Sequence, residues 1–462
     1  MKTKIYTVVF AVLVSVLGYA QEKEMPPKGG EPAGFTLPEK KVINYENGLQ
    51  LVLVPYGSIP KASVSITVKT GNIHEKENEV WLTDLLGELM KEGSTGNYDV
   101  KNKLAGMGGN LNIGVGVHTV SLSTRVLAEF TPEALNTLAD VLMNPKWPAT
   151  ELDRLKGNMK RDVTVSLSRP GAQAQKEFFA EIYPDHPYGK VFPTVEQVES
   201  YTVDQIKGYY DANFGAQRTT VYVVGKFDAT KVKEVVDARL SQWRKGPEQF
   251  YPVAQPHTEA TVRVIDRPGA PQSTIYFGLP AADPSSEDYI SLDIMNSLLG
   301  GSFGSRITSN IREDKGYTYS PYSNLQTNYK NGLWYEVADV TTEHTGASLD
   351  EIKKEIKRLQ NEAPSKEELE GIQNYESGLY VLQNSTPGGI IGQLTFLDIH
   401  ELDESFLVNK VKAMNAVTPE EVQEMAKKYI KPENMTLVVV GDKEKIKDQV
   451  QETIKKPVDK EQ

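Results

Sequence analysis

The period of the apolar residues changes along the chain, and each change marks an element. VINYENGLQLVLVP (residues 42–55) and KASVSITVKTG (61–71) are rich in β-branched residues on a two-residue alternation, with Asn47-Gly48 as a hairpin turn. Residues 80–92 switch to helical spacing, which sets Leu82, Leu85, Leu86, Leu89 and Met90 on one stripe. A second helix is expected over 132–143, with Thr131 as cap and Pro132 in the first turn. In GGNLNIGVGVHTVSLSTRVL the apolar positions are odd (Leu111, Ile113, Val115, Val117) and then even (Val120, Leu122, Val126). That flip near His118 calls for a hairpin or a bulge. The second half repeats the theme, with strands expected near 261–266, 273–279, 317–325 and 331–339 and long helices near 347–361 and 366–383.

The two halves share a register. Thr202 and Thr418 each open a helix, Gly225 and Gly441 each end a buried strand, and both pairs are 216 positions apart. Ile206 and Phe214 fall on Val422 and Ile430 at the same offset. Constant register across a capped helix, a turn and a strand implies duplication. The expected fold class is α+β, with two homologous domains at 40–245 and 261–455. Each is a mixed, mostly antiparallel sheet with helices packed on one face. GPEQFYPVAQPHTEA, residues 246–260, reads as the linker between them.

Composition narrows the function. A net charge of -11 would repel phosphates, so a nucleic-acid partner is not expected. Lys2 and Lys4 precede an apolar run from Val8 to Leu17, and Gly18 and Ala20 follow it. This reads as a signal peptide over 1–20, too short for a comfortable membrane span, with a flexible leader at 21–39. An exported, periplasmic protein is expected, with no membrane span after cleavage. The absence of cysteine removes disulfides, thiol nucleophiles and thiolate metal sites.

The stretch GGSFGSRITSNIREDKGYTYS, from Gly300, carries the most specific chemistry. It fits neither G-x-x-x-x-G-K-[ST] nor a strand-borne G-x-G-x-x-G, so a phosphate loop is excluded. SLDIMNSLLG before it has helical spacing, so Gly300 and Gly301 are expected to end a helix and allow a close chain reversal. Arg306, Ile307 and Ile311 then lie on a short helix with Arg312 near its end, Gly316 breaks it, and Tyr319 falls in a strand. Arg312 and Tyr319 can meet across that turn, and a guanidinium with a phenol suits a peptide carbonyl or its oxyanion. By spacing alone an equal alternative stands: Arg312 pairs with Glu313 or Asp314, and Tyr319 is a core aromatic.

With GMGGNLNIGVGVHTVSL, ALNTLADVLMNPKWP, DHPYG and LGGSFGSRITSNIREDKGYTYS, the chain resembles the insulinase, or pitrilysin, family of zinc peptidases over most of 40–455. Active members carry H-x-x-E-H on an early helix, where two His grip zinc and the Glu activates water. The matching positions here are Asp84, Leu85, Leu86, Gly87 and Glu88. A later helix, where the family places a third ligand, reads Asn158-Met159. No two of the six histidines lie four apart. A calcium site at Asp84 and Glu88 lacks the further oxygens it would need, so a solvated acidic face is the expected reading. The resemblance implies a zinc-degenerate subunit that binds no cofactor itself. It would pair as a heterodimer with a homologous zinc-bearing subunit, bind extended peptide substrates at Gly300, Gly301, Arg312 and Tyr319, and supply Arg312 and Tyr319 in trans for proteolysis. The segment Gly109–Val117 resembles the edge strand that substrates extend in the family, but with the chemistry in the other chain a structural role is the expected one here. The alternative is a non-enzymatic scaffold or peptide-binding protein on the same fold.

Overall fold

The computed structural model describes residues 36–455 apart from residue 97. The expected signal peptide and most of the expected leader lie outside them. Two sheets organise the chain. The first takes its strands from β1 (Lys41–Asn44), β2 (Gln50–Pro55), β3 (Lys61–Val68), β4 (Asn112–Val115), β5 (Val120–Leu127) and β6 (Thr219–Gly225), in the order β1-β2-β6-β3-β5-β4. The second comprises β7 (Val262–Asp266), β8 (Gln272–Ala281), β9 (Tyr322–Asn328), β10 (Asn331–Thr341) and β11 (Thr436–Gly441), in the order β7-β11-β8-β10-β9. The β2–β6 and β7–β11 pairs are parallel and the other pairs antiparallel. The fold class is therefore α+β with two homologous halves, and the duplicated strands β6 and β11 sit inside their sheets, every residue buried.

The repeated helix starts are built alike. Thr202 and Thr418 each accept from the backbone N–H three residues on, and Gln205 and Glu421 reach back to the cap N–H, a reciprocal capping box in both halves. The 132–143 expectation is met by a helix over Thr131–Met143, with one difference. Thr131 is inside the helix and its hydroxyl donates to Ala128 O, because a 3₁₀ turn at Ala128–Phe130 runs directly into it. The register flip near His118 is a hairpin: β4 and β5 pair antiparallel around residues 116–119. Residues 246–260 have no helix or strand.

Each half packs its own helices against one sheet face. Leu82, Leu85, Leu86 and Leu89 meet Ile66, Val120 and Leu122 in one core, and Ile352, Ile356, Val422 and Met425 meet Trp334, Ala338 and Val439 in the other. The opposite face of each sheet is covered by a helix from the other half. The Pro170–Ile182 helix lays Phe178 and Phe179 on Tyr276, Tyr335, Val438 and Val440 of the second sheet. The Pro387–His400 helix lays Ile390 and Leu394 on Val52, Val54, Tyr222 and Val224 of the first. Both helices follow the same Ser-x-Pro-Gly signature, at Ser168–Gly171 and Ser385–Gly388, one residue off the register of the other repeats. Proline serves both as a first-turn residue, where its missing N–H has no intrahelical partner to lose.

Candidate functional site

The helix Leu82–Met90 carries positions 84, 87 and 88. Its first turn is capped from upstream. The Glu75 carboxylate accepts from Trp81 N at 3.0 Å and Thr83 N at 2.8 Å, and from the Asn72 side-chain amide at 3.1 Å. Burial raises Glu75 to about pKa 8 against the opposing hydrogen bonds from Thr83 and Asn72. Trp81, just before the helix, sits at φ 63°, a left-handed conformation that a bulky side chain adopts only where its surroundings impose it.

The acidic face expected at Asp84 and Glu88 is only half solvated. Asn72 donates to Asp84 Oδ2 at 2.8 Å, and burial raises the Asp84 pKa above the usual carboxylate value. The sequence missed this because Asn72 lies twelve positions upstream, on the turn after β3. Glu88 is more open and pairs with Lys91 one turn on. Gly87 is buried against β4: a Cβ there would meet Val115 Cγ2 at 2.6 Å. Glu88, Lys91, Arg154 and Asn158 line one cavity of about 520 Å³, so the later helix does approach the motif, while its neighbour Met159 turns into the core. A hydrolytic zinc needs imidazole donors and a carboxylate base beside its water. Two engaged carboxylates around a glycine with no room for a side chain do not fit that ion. Among the described residues, no group of three or more His, Asp or Glu converges as a metal site.

The second candidate site is assembled from a helix that widens twice. Tyr289–Asn296 is α-helical, and Ser297–Gly301 continues it as a π-turn. Gly300 is buried where the chain crosses the second sheet. A Cβ would meet Ser323 Oγ at 2.6 Å and Glu336 Oε2 at 2.7 Å, so this glycine permits close packing as expected. Gly301 is the exposed member of the pair and faces Asn296 Nδ2. After the Ser302–Ser305 turn, Arg306–Thr308 and a second π-turn, Ser309–Asp314, carry Arg312. Ile307 and Ile311 are fully buried, and the Asn310 amide donates to Glu351 and Glu355 at 2.8 and 2.7 Å, which fixes the inner side of this segment. π-turns of this kind gather at functional sites.

Gly316, at φ 65°, ends the segment and reverses the chain; its N–H donates to Arg312 O at 3.2 Å. Tyr319 does not lie in the strand, which starts only at Tyr322. Pro321 intervenes and has no N–H to give to a ladder, so Tyr319 sits in an irregular lead-in tied down by the Thr318–Val340 bridge. The residue is 79% exposed and is therefore not a core aromatic. The Arg312 guanidinium carbon is 4.9 Å from the centre of that ring, so the two predicted residues do meet. The local ion pair also forms, with Arg312 Nε 3.1 Å from Glu313 Oε1. A third residue, which spacing did not single out, also meets it: the Phe303 ring centre is 4.4 Å from the same guanidinium carbon.

At the far end of the first sheet, β4 has one free edge. Beside it a groove of about 830 Å³ runs between Ser121, Ser123 and Arg125 on the sheet and Gly388, Ile391 and Gly392 on the crossing helix.

A duplicated α+β chain with this turn, and with no cluster of metal-binding side chains among the described residues, has the build of a peptidase-type protein. The chain belongs to the insulinase family, peptidase family M16. That family's model matches residues 51–192, and the model of its inactive domain matches 200–375 and 416–460. Among its relatives is an uncharacterized zinc protease, YmxG, of Bacillus subtilis, 22% identical over 73% of this chain and 82% of that one. Another is a protein of Helicobacter pylori described as a non-peptidase homologue, 20% identical over 84% of this chain and 91% of that one. The peptidase M16 inactive domain from Pseudomonas fluorescens superimposes with a TM-score of 0.80 over 87% of this chain and 98% of its own, at 21% identity. Among the described residues no helix is long and apolar enough to cross a membrane.

Proposed function

We propose that this chain is the exported, periplasmic, non-zinc subunit of a heterodimeric insulinase-family peptidase. It binds extended peptides and presents Arg312 and Tyr319 to a zinc site on a homologous partner. One observation carries the reading: the guanidinium and the phenol come together on an exposed turn whose inner side is locked into the core. The degenerate helix adds to it, since residues at 84, 87 and 88 offer neither imidazole nor base. In this reading the partner supplies the zinc and its activated water, while Arg312 and Tyr319 donate to the carbonyl oxygen as negative charge develops on it. The free edge of β4 offers main-chain hydrogen bonds to a peptide strand, and the adjoining groove gives its side chains room.

The test is co-purification from the native host, followed by peptide cleavage with and without a chelator. The isolated chain is expected to be inert and the complex active and chelator-sensitive. Arg312→Ala or Tyr319→Phe should lower its kcat by about a hundredfold, the usual effect of removing one oxyanion donor, with the dimer intact. Chelator-sensitive cleavage by the chain alone would overturn the reading. Full activity in both variants would leave a non-enzymatic scaffold, the role that the similarity to a non-peptidase homologue favours.

A further inference from the structure

Phe303 is out of place for a phenylalanine. The residue is 71% exposed, although burial of such a side chain is favourable. The turn that carries it is firmly built. Ser302 N donates to Ser297 O and Ser305 N to Ser302 O, each at 3.1 Å, and the Ser305 and Thr308 hydroxyls are 3.0 Å apart. Ser302 and Ser305 are both buried, so the two ends of the turn are anchored and Phe303 and Gly304 form its exposed tip. The ring is thus held outward by its own backbone.

What it touches is Arg312. Phe303 lies over the guanidinium 4.4 Å from its carbon, and Tyr319 lies 4.9 Å from the same carbon. Glu313 occupies Nε. Among the described residues the terminal nitrogens have no protein hydrogen-bond partner. A guanidinium is weakly hydrated on its faces and strongly hydrogen-bonding at its edge. Rings against the planar group therefore cost its hydration little and leave the terminal edge for an in-plane acceptor. The outward side of the phenyl ring remains an apolar surface beside that edge.

We propose that Phe303 is a positioning and specificity-determining residue: one side of its ring holds the Arg312 fork, and the other receives an apolar side chain next to the bound carbonyl. The preferred substrates are then extended peptides with a bulky apolar residue flanking the carbonyl that Arg312 holds. This rests on the peptide-binding reading above and adds to it a selectivity and a third residue. A hydrophobic contact of this kind discriminates by about tenfold or more between small and large side chains, and loss of a partly exposed cation–π contact adds a few-fold for every substrate.

The test uses the co-purified complex and acetylated, amidated glycine-rich octapeptides that carry glycine, alanine, leucine or phenylalanine at one position. In the wild type, kcat/KM rises from the glycine to the leucine and phenylalanine peptides. Phe303→Ala removes about tenfold of that rise but costs the glycine peptide only a few-fold. Phe303→Tyr restores both, and the thermal midpoint stays put because the ring is exposed. If Arg312→Ala abolishes cleavage while Phe303→Ala leaves the peptide ranking unchanged, the inference fails and the peptide-binding reading survives. If Arg312→Ala has no effect, both fail. Dissociation of the complex by Phe303→Ala would assign the ring to the subunit contact and likewise overturn the proposal.

Discussion

Gly87 is buried on the Leu82–Met90 helix, and the structure leaves it room for a hydrogen. An alanine Cβ would lie 2.6 Å from Val115 Cγ2, an overlap that costs about 1–3 kcal/mol where the neighbour cannot yield. Alanine recovers about 1 kcal/mol of helix propensity. Gly87→Ala should therefore destabilise by roughly 1 kcal/mol in urea denaturation, and the added change Val115→Ala should recover that loss. A stable Gly87→Ala with no coupling to Val115 would contradict this packing.

Glu336 is the complementary case, a charge-bearing group with no partner. It is fully buried between β8 and β9, neither carboxyl oxygen has a hydrogen-bond partner among the described residues, and burial raises its pKa well above the carboxylate range. The folded state then keeps a proton that the unfolded chain releases above about pH 4.3, so the contribution is fully present below that pH and is lost as pH rises through the folded pKa. Glu336→Gln removes the ionisation and should raise the thermal midpoint at pH 8 but not at pH 4. An equal gain at both would refute the assignment.

At the scale of elements, the exchanged helices tie the halves together. Phe178 is fully buried, with its ring centre 5.6 Å from that of Tyr276 and 5.7 Å from that of Tyr335, both on the other half's sheet. Phe178→Ala should cost about 3–5 kcal/mol, the range for emptying a large aromatic site. A loss below 1 kcal/mol in chemical denaturation would mean that the helix is not a structural tie. These helices were only partly legible. Pro170 and Pro387 stand in their first turns. Which sheet each helix covers depends on the packing of residues far apart in sequence, and local periodicity carries no record of that.

At the scale of the whole molecule, the seam between the halves is lined with neutral imidazoles. His118 is 2.7 Å from the Tyr188 hydroxyl, which accepts from Tyr329 N of the other half at 3.1 Å; His74 Nε2 meets Phe250 O at 2.7 Å. Burial lowers His74 and His400 to about pKa 4 and His118 to about 3. The unfolded rings take up protons near pH 6.5, so this stabilisation is complete above that pH and is lost as pH falls toward the folded values. Glu75 and Glu336 act in the opposite direction, so the effect is read as a difference. The stability gap between wild type and His118→Gln should narrow as pH falls from 7 to 4, measured by denaturant titration. A gap independent of pH would remove His118 from the acid response.

The sequence by itself determined the period and order of the elements, the duplication, the register flip near His118, and the absence of imidazoles at 84 and 88. Each of these is local, set by side-chain spacing, capping and residue identity. Even Arg312 and Tyr319 were legible, because a glycine-terminated turn brings residues seven apart together. Only the tertiary structure decided that Phe303 joins Tyr319 at Arg312, that Val115 fills the space above Gly87, that Asn72 holds Asp84, and that each half covers the other's sheet. Those contacts depend on how packed surfaces meet, and side chains distant along the chain compete for that space only once the core has closed.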